Sequence, residues 1–151
     1  MSSTDNPSAR ARALRLLARR DHTRLELKQK LTPHVEDAAE LDALLDDFTE
    51  RGWLSEARVV DQLVQARRAR FGPARIRRAL IEKGVPETLI APALATLRES
   101  ELATAREVWA KKFREAPATA AERARQVRFL QSRGFSLDVA MRVVRANDAE
   151  L

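Results

Sequence analysis

The chain has 151 residues, 44% of them hydrophobic, with only four glycines, no tyrosine and no cysteine. That length suffices for one domain or a few repeated modules, and the dominance of Ala, Leu, Arg and Glu over β-branched residues predicts an all-α fold without a sheet. A net charge of +6 points to an acidic partner, nucleic acid or protein, while the missing cysteines exclude disulfides, thiolate catalysis and thiolate metal sites.

Residues 1 to 10 hold no apolar signal core, and no run approaches the roughly 18 apolar residues of a membrane span. A cytoplasmic protein without membrane contact is therefore expected, with residues 1 to 9 disordered. The first unit then opens with ARALRLLARR from Ala11. Thr23 and Glu26 have the spacing of a capping box, which opens a helix by giving its first-turn amides a side-chain acceptor. Val35, Ala38, Leu41, Leu44, Leu45 and Phe48 form a stripe of near 3.6 period, predicting an amphipathic helix over residues 35 to 51. Ser55 opens a helix carrying Val59, Val60, Leu63 and Val64, and Gly72-Pro73 puts a proline at the first position of the next. Gly84 is placed as a left-handed cap, and a helix starting near Pro86 carries Leu89, Ile90, Leu94 and Leu97. Leu102, Ala105, Trp109 and Phe113 continue one stripe. Thr119 and Glu122 form a second capping box, Gly134 closes that helix, and Leu137, Met141 and Val144 mark the last.

These signals repeat. RIRRALIEKGV (Arg75 to Val85) overlays RQVRFLQSRGF (Arg125 to Phe135) at an offset of 50, and ELKQKLTPH from Glu26 is a weaker copy with His34 in place of the glycine. Charge repeats as well: residues 10 to 30, 58 to 83 and 106 to 133 each hold eight basic side chains, whereas 35 to 50 hold seven acidic ones and no basic one. The expectation is an elongated array of three tandem three-helix units, about nine helices, at residues 10 to 54, 55 to 100 and 101 to 151. A unit of that size exposes much apolar surface alone, so neighbours are expected to bury it against each other.

The stretch VVDQLVQARRARFGPARIRRALIEKGV (Val59 to Val85) resembles the middle repeat of the RecX family. WAKKF from Trp109 with RQVRFLQSRGFS from Arg125 resembles its last repeat, and ARALRLLARRDHTRLELKQKL from Ala11 its first. Ala79, His34 and Trp53-Leu54-Ser55-Glu56 depart from the family pattern. The resemblance implies a monomeric regulator of RecA recombinase that binds the filament on single-stranded DNA. It would bridge protomers, slow ATP hydrolysis and strand exchange, favour filament loss, and so act in recombination, DNA repair and the SOS response. It brings no catalytic residues and no cofactor.

The residues themselves agree with a binding role. His22 and His34 are the two histidines, both beside helix boundaries and without a partner for catalysis or metal binding, so polar turn roles are expected. The acidic run from Glu36 to Glu50 reads as a solvated helix face whose carboxylates neutralise arginines of a neighbouring unit. With Ile76 and Leu80 facing the core, Arg75 and Arg78 can share a patch, whereas Arg77 lies about 200° from Arg75 on the opposite flank. Arg67 is expected at the core edge. The candidate partner- or DNA-binding residues are Arg68, Arg70, Arg75 and Arg78 with Arg125, Arg128 and Arg133. Trp53, Trp109, Phe129 and Phe135 read as core packing in preference to base stacking. A sequence-nonspecific DNA-binding helical module is the alternative that charge alone would support.

Overall fold

The computed structural model describes residues 7 to 148. Among them, nine α-helices and no strand are found: α1 (Ala9–Arg19), α2 (Arg24–Leu31), α3 (Ala38–Glu50), α4 (Glu56–Arg67), α5 (Pro73–Glu82), α6 (Glu87–Glu99), α7 (Glu101–Lys112), α8 (Ala120–Ser132) and α9 (Leu137–Asp148). They form three tandem three-helix units. No helix among the described residues is long and apolar enough to cross a membrane. Of the start expected to be disordered, residues 1 to 6 lie outside the described residues. Ser8 caps α1 by accepting from the Ala11 amide.

Helix starts follow the sequence signals closely. Thr23 and Glu26 make a complete capping box, Ser55 accepts from the Arg58 amide, and Pro73 is the first residue of α5. At Thr119 the box is altered: the threonine accepts from Glu122 N, but the Glu122 carboxylate takes the amide of Ala118. The acidic helix is shorter than its stripe, because Asp37 caps it and Val35 lies outside in extended backbone.

Helices α3, α5 and α8 end alike. Gly52, Gly84 and Gly134 have φ of 75°, 83° and 97°, and the following amides of Trp53, Val85 and Phe135 reach back to the carbonyls of Phe48, Leu80 and Leu130. This is the Schellman arrangement, which satisfies end carbonyls through a left-handed residue and so favours glycine. Helix α2 has His34 at the corresponding place and runs into a 3-10 turn, Thr32–His34, without a left-handed residue.

Each unit buries its own core. Leu27, Leu31, Leu45 and Phe48 fill the first, Ile76, Leu80, Ile90 and Leu94 the second, and Leu130, Phe135, Val143 and Val144 the third. The expectation that neighbours would bury their apolar surface against each other is therefore corrected: the three cores are separate and the joints are mainly polar, with Leu25 against Gly84 an apolar contact at the first. Their geometry follows from the middle helices, which meet end to start. At the second joint, the C-terminal end of α8 lies on the N-terminal end of α5: Gly72 N donates to Arg133 O at 2.7 Å and Ala74 N to Gly134 O at 3.1 Å. At the first, the end of α5 lies on the start of α2, where the Thr23 hydroxyl donates to Lys83 O and Arg24 N to the Glu56 carboxylate at 3.2 Å. At the second joint the orphan amides that open α5 thus meet carbonyls at the end of α8, whereas at the first a side chain supplies one partner of each bond; in both, the helix dipoles align favourably. Three separate cores strung along these end-to-start joints make the array elongated.

Candidate functional site

Local sequence sets the charge of each unit. Residues 10 to 54 hold nine basic and nine acidic side chains, residues 55 to 100 nine and five, and residues 101 to 151 ten and seven. All of the net positive charge therefore lies in the second and third units. In the first, the acidic face of α3 is used at home: Asp47 pairs with Arg10 and Arg51, Asp46 with Arg24, and Asp42 with Arg24 and Lys28. The expected partner, a neighbouring unit, is replaced by this unit's own helices. Hydrogen bonds from Arg51 and then Arg10 hold the Asp47 carboxyl below the usual carboxylate range.

The second joint gathers several of the sequence-predicted arginines. Phe71, half-buried against the second core, lies just before the joint. Three guanidinium groups approach its ring, with Arg75 at 4.4 Å, Arg133 at 5.4 Å and Arg70 at 5.7 Å from the centroid. The ring face attracts cations and holds three of them close without a carboxylate. Arg133 also lies 5.2 Å from the Phe129 ring, which carries Lys112 at 5.5 Å and meets Phe113 edge-on. Arg75 is fixed further by donating to Ser132 O at 3.0 Å, across the joint. Interleaved cations and aromatic faces suit a partner with phosphates and bases.

Arg78 is exposed and lines a neighbouring groove with Arg75 and Arg67, so Arg67 is half-buried at the core edge yet reaches the same face. Arg77 lies elsewhere, paired with Glu87 through two contacts of 2.8 and 2.9 Å that raise its pKa. Arg68 caps the end of α4 by its backbone and is exposed. Arg125 and Arg128 are exposed on α8 and do not join the Phe71 cluster. The structure thus brings together Arg70, Arg75 and Arg133, places Arg78 beside them, and leaves Arg68, Arg125 and Arg128 apart.

The aromatic residues divide. Phe135 is a core residue at 3% exposure, and Trp109 donates its indole N–H to Gln126 at 2.9 Å. Trp53 corrects the core reading: it is 40% exposed, packs edge-on against Phe48 and carries Arg10 and Arg51 on its ring. Phe71 went unpredicted, although an aromatic residue between Arg70 and Gly72-Pro73-Ala74-Arg75 was visible in the sequence. The hydrophobic stripe of α4 ends before it, so periodicity gave no reason to select it.

His22 is a turn residue, as expected, and is buried. Its Nδ1 lies 2.9 Å from Arg20 O, which must accept, so the ring presents Nε2 as an acceptor to Lys30 Nζ at 3.1 Å. Burial lowers its pKa, and the charges of Arg20 and Lys30 act in the same direction. Among the described residues no group of three acidic or histidine side chains is placed to hold a metal ion.

Comparison with known proteins accounts for this architecture. Residues 9–46, 55–94 and 99–144 match family models described as the first, second and third three-helix domains of RecX. Regulatory protein RecX of Leptothrix cholodnii is 52% identical over 143 residues, covering 95% of this chain and 91% of the relative. That of Ralstonia nicotianae is 42% identical over 144 residues, with 95% and 91% covered. The fold is that of the crystal structure of RecX from Lactobacillus salivarius, with a TM-score of 0.76 at 17% identity, covering 93% of this chain and 95% of that one. With three domain matches in order and relatives similar along nearly its whole length, the chain belongs to the RecX family of regulatory proteins.

Proposed function

We propose that the chain regulates RecA recombinase by binding its filament on single-stranded DNA, slowing ATP hydrolysis and strand exchange and favouring filament loss. The observation that carries this reading is the convergence of Arg70, Arg75 and Arg133 on Phe71, at the joint of the two units that hold the net positive charge. Membership of a family of regulatory proteins supports binding in place of chemistry. An elongated body with a basic face along its second joint is suited to lie along an extended partner. Arg68, Arg78, Arg125 and Arg128 extend that face in this proposal.

The test is RecA ATPase on single-stranded DNA with the protein added below one copy per recombinase. Strong inhibition at that ratio supports the proposal. Inhibition only at DNA saturation, together with a loss of about 10³ to 10⁵ in affinity between roughly 50 and 200 mM salt, would instead mark a nonspecific DNA-binding module. The informative variants are Arg70→Glu and Arg78→Glu, since both residues are exposed and neither bonds to the backbone of another unit. Exposed Arg98 of α6 is the control, since reversing Arg77, on the opposite flank of α5, would also break its pair with Glu87. Equal loss per charge at Arg70, Arg78 and Arg98 would argue against a defined face.

A further inference from the structure

The first unit is neutral overall, yet its basic residues are sharply divided. Arg10, Arg20, Arg24, Lys28 and Arg51 each pair with a carboxylate. The other four, Arg12, Arg15, Arg19 and Lys30, have no carboxylate partner among the described residues, and all four line one groove between α1 and α2. Its volume is about 350 Å³, no carboxylate lines it, and Leu16 and Leu31 form its floor.

Helical spacing makes the cationic wall. Arg12 and Arg19 lie nearly in line along α1, with Arg15 about 60° off that line, over some 10 Å of axis. Lys30 closes the opposite side and is held by the Nε2 lone pair of His22, an anchor that leaves its charge uncompensated. The Nε of Arg12 is buried without any hydrogen-bond partner. A buried donor without an acceptor is unfavourable, so this guanidinium is short of a hydrogen-bond partner.

We infer that this groove receives an acidic segment of a partner protein, with carboxylates on Arg12, Arg15 and Arg19 and an aliphatic side chain on Leu16 and Leu31. The floor decides between this occupant and nucleic acid. Single strands gain much of their affinity by stacking bases on aromatic rings. The Phe71 cluster offers such rings, whereas this floor is aliphatic and, among the described residues that line the groove, the one aromatic ring is that of exposed His34. The two basic faces of the molecule thus differ in what they can hold. This inference does not depend on the filament reading, because it concerns the opposite end of the array.

The experiment uses the full chain and two fluorescent probes: a synthetic peptide alternating Asp or Glu with Leu, and an oligothymidylate. Peptide binding should fall at least about tenfold in the double variant Arg15→Glu, Arg19→Glu, whose residues are exposed and bond to nothing else described, while oligothymidylate binding changes less than about twofold. A peptide with Ser replacing every Leu should bind more weakly than the parent. An unfolded double variant is recognised by circular dichroism, and the milder Arg15→Gln then carries the comparison. The inference is overturned if the peptide does not bind, if the Ser peptide binds equally well, or if the double variant weakens both probes alike, which would make the groove a general nucleic-acid surface.

Discussion

At Gly72 the backbone φ of −85° suits any residue, yet a Cβ there would stand 2.5 Å from the carbonyl carbon of Gly134. Gly52 is the converse, with a left-handed φ of 75° and open space where a Cβ would go. Gly52→Ala should therefore cost only the left-handed penalty, about 1 to 2 kcal/mol. Gly72→Ala should cost more than about 2 kcal/mol, because backbone rather than a yielding side chain blocks the methyl and two joint hydrogen bonds depend on it. Urea unfolding of the two variants measures the difference, and equal midpoints would mean that the second joint is slack. The glycine pair 84 and 134 was legible in the sequence as helix caps. Their second duty was not: a Cβ on either would also strike the neighbouring unit, at Leu25 and Arg75 respectively. That contact joins residues far apart in the chain, and local pattern carries no trace of it. The same limit explains why Arg133 and Arg75 could be nominated separately but their meeting on Phe71 could not.

Helix ends were the most legible elements, since a cap needs only three or four neighbouring residues to state itself. Thr23 and Thr119 nonetheless differ in weight. Both accept a first-turn amide, but the Thr23 hydroxyl also donates to Lys83 O in the second unit. Thr119→Ala should cost about 1 kcal/mol, and Thr23→Ala more, approaching about 2 kcal/mol, because it leaves a part-buried carbonyl unpaired as well. Thermal or urea unfolding would detect the ordering, and Thr23→Ser should restore most of the loss. Acid acts on the same turn. Burial alone would raise the pKa of Glu26, but the Thr23 amide, the Arg20 guanidinium and the charge of Lys83 bring it from 4.5 down to about 2. Its contribution is complete above pH 4.5 and is lost as the pH falls from there to about 2, up to about 3 kcal/mol. His22 adds an earlier stage, since burial lowers its pKa: stability present above pH 6.5 begins to decline once the pH drops below that value. In unfolding measured against pH, Glu26→Gln should flatten the lower stage and deepen the upper one, because the Glu26 charge raises the His22 pKa and its loss lets that pKa fall further.

Across the whole molecule, the repeat and the helix count were readable because periodicity, caps and the offset of 50 all agree. The packing between units was not, since three self-contained cores joined mainly by polar contacts carry the same hydrophobic pattern as one continuous core. The two joints use different bonds. The first relies largely on side chains: Arg58 and Gln62 reach Asp21, Lys83 reaches Glu26 at 3.5 Å, and Thr23 reaches Lys83 O. The second has backbone amides donating straight to backbone carbonyls. High salt should therefore loosen the first joint more than the second, because exposed ion pairs are screened and backbone bonds are not. Hydrogen exchange would read this at the amides, with Gly72 and Ala74 keeping their protection while Arg24 loses it. If Gly72 and Ala74 lose protection first, the assignment of the joints is wrong.

That contrast between joints is also one of stiffness. Two amide-to-carbonyl bonds with glycine backbones in contact behave as a rigid coupling, whereas long side chains across a seam can swing together without breaking. Under bending, the molecule yields at the seam between its first and second units and keeps the second and third in fixed register. A track whose pitch varies would be gripped at one end by a rigid two-unit clamp, with the remaining unit free to adjust its angle.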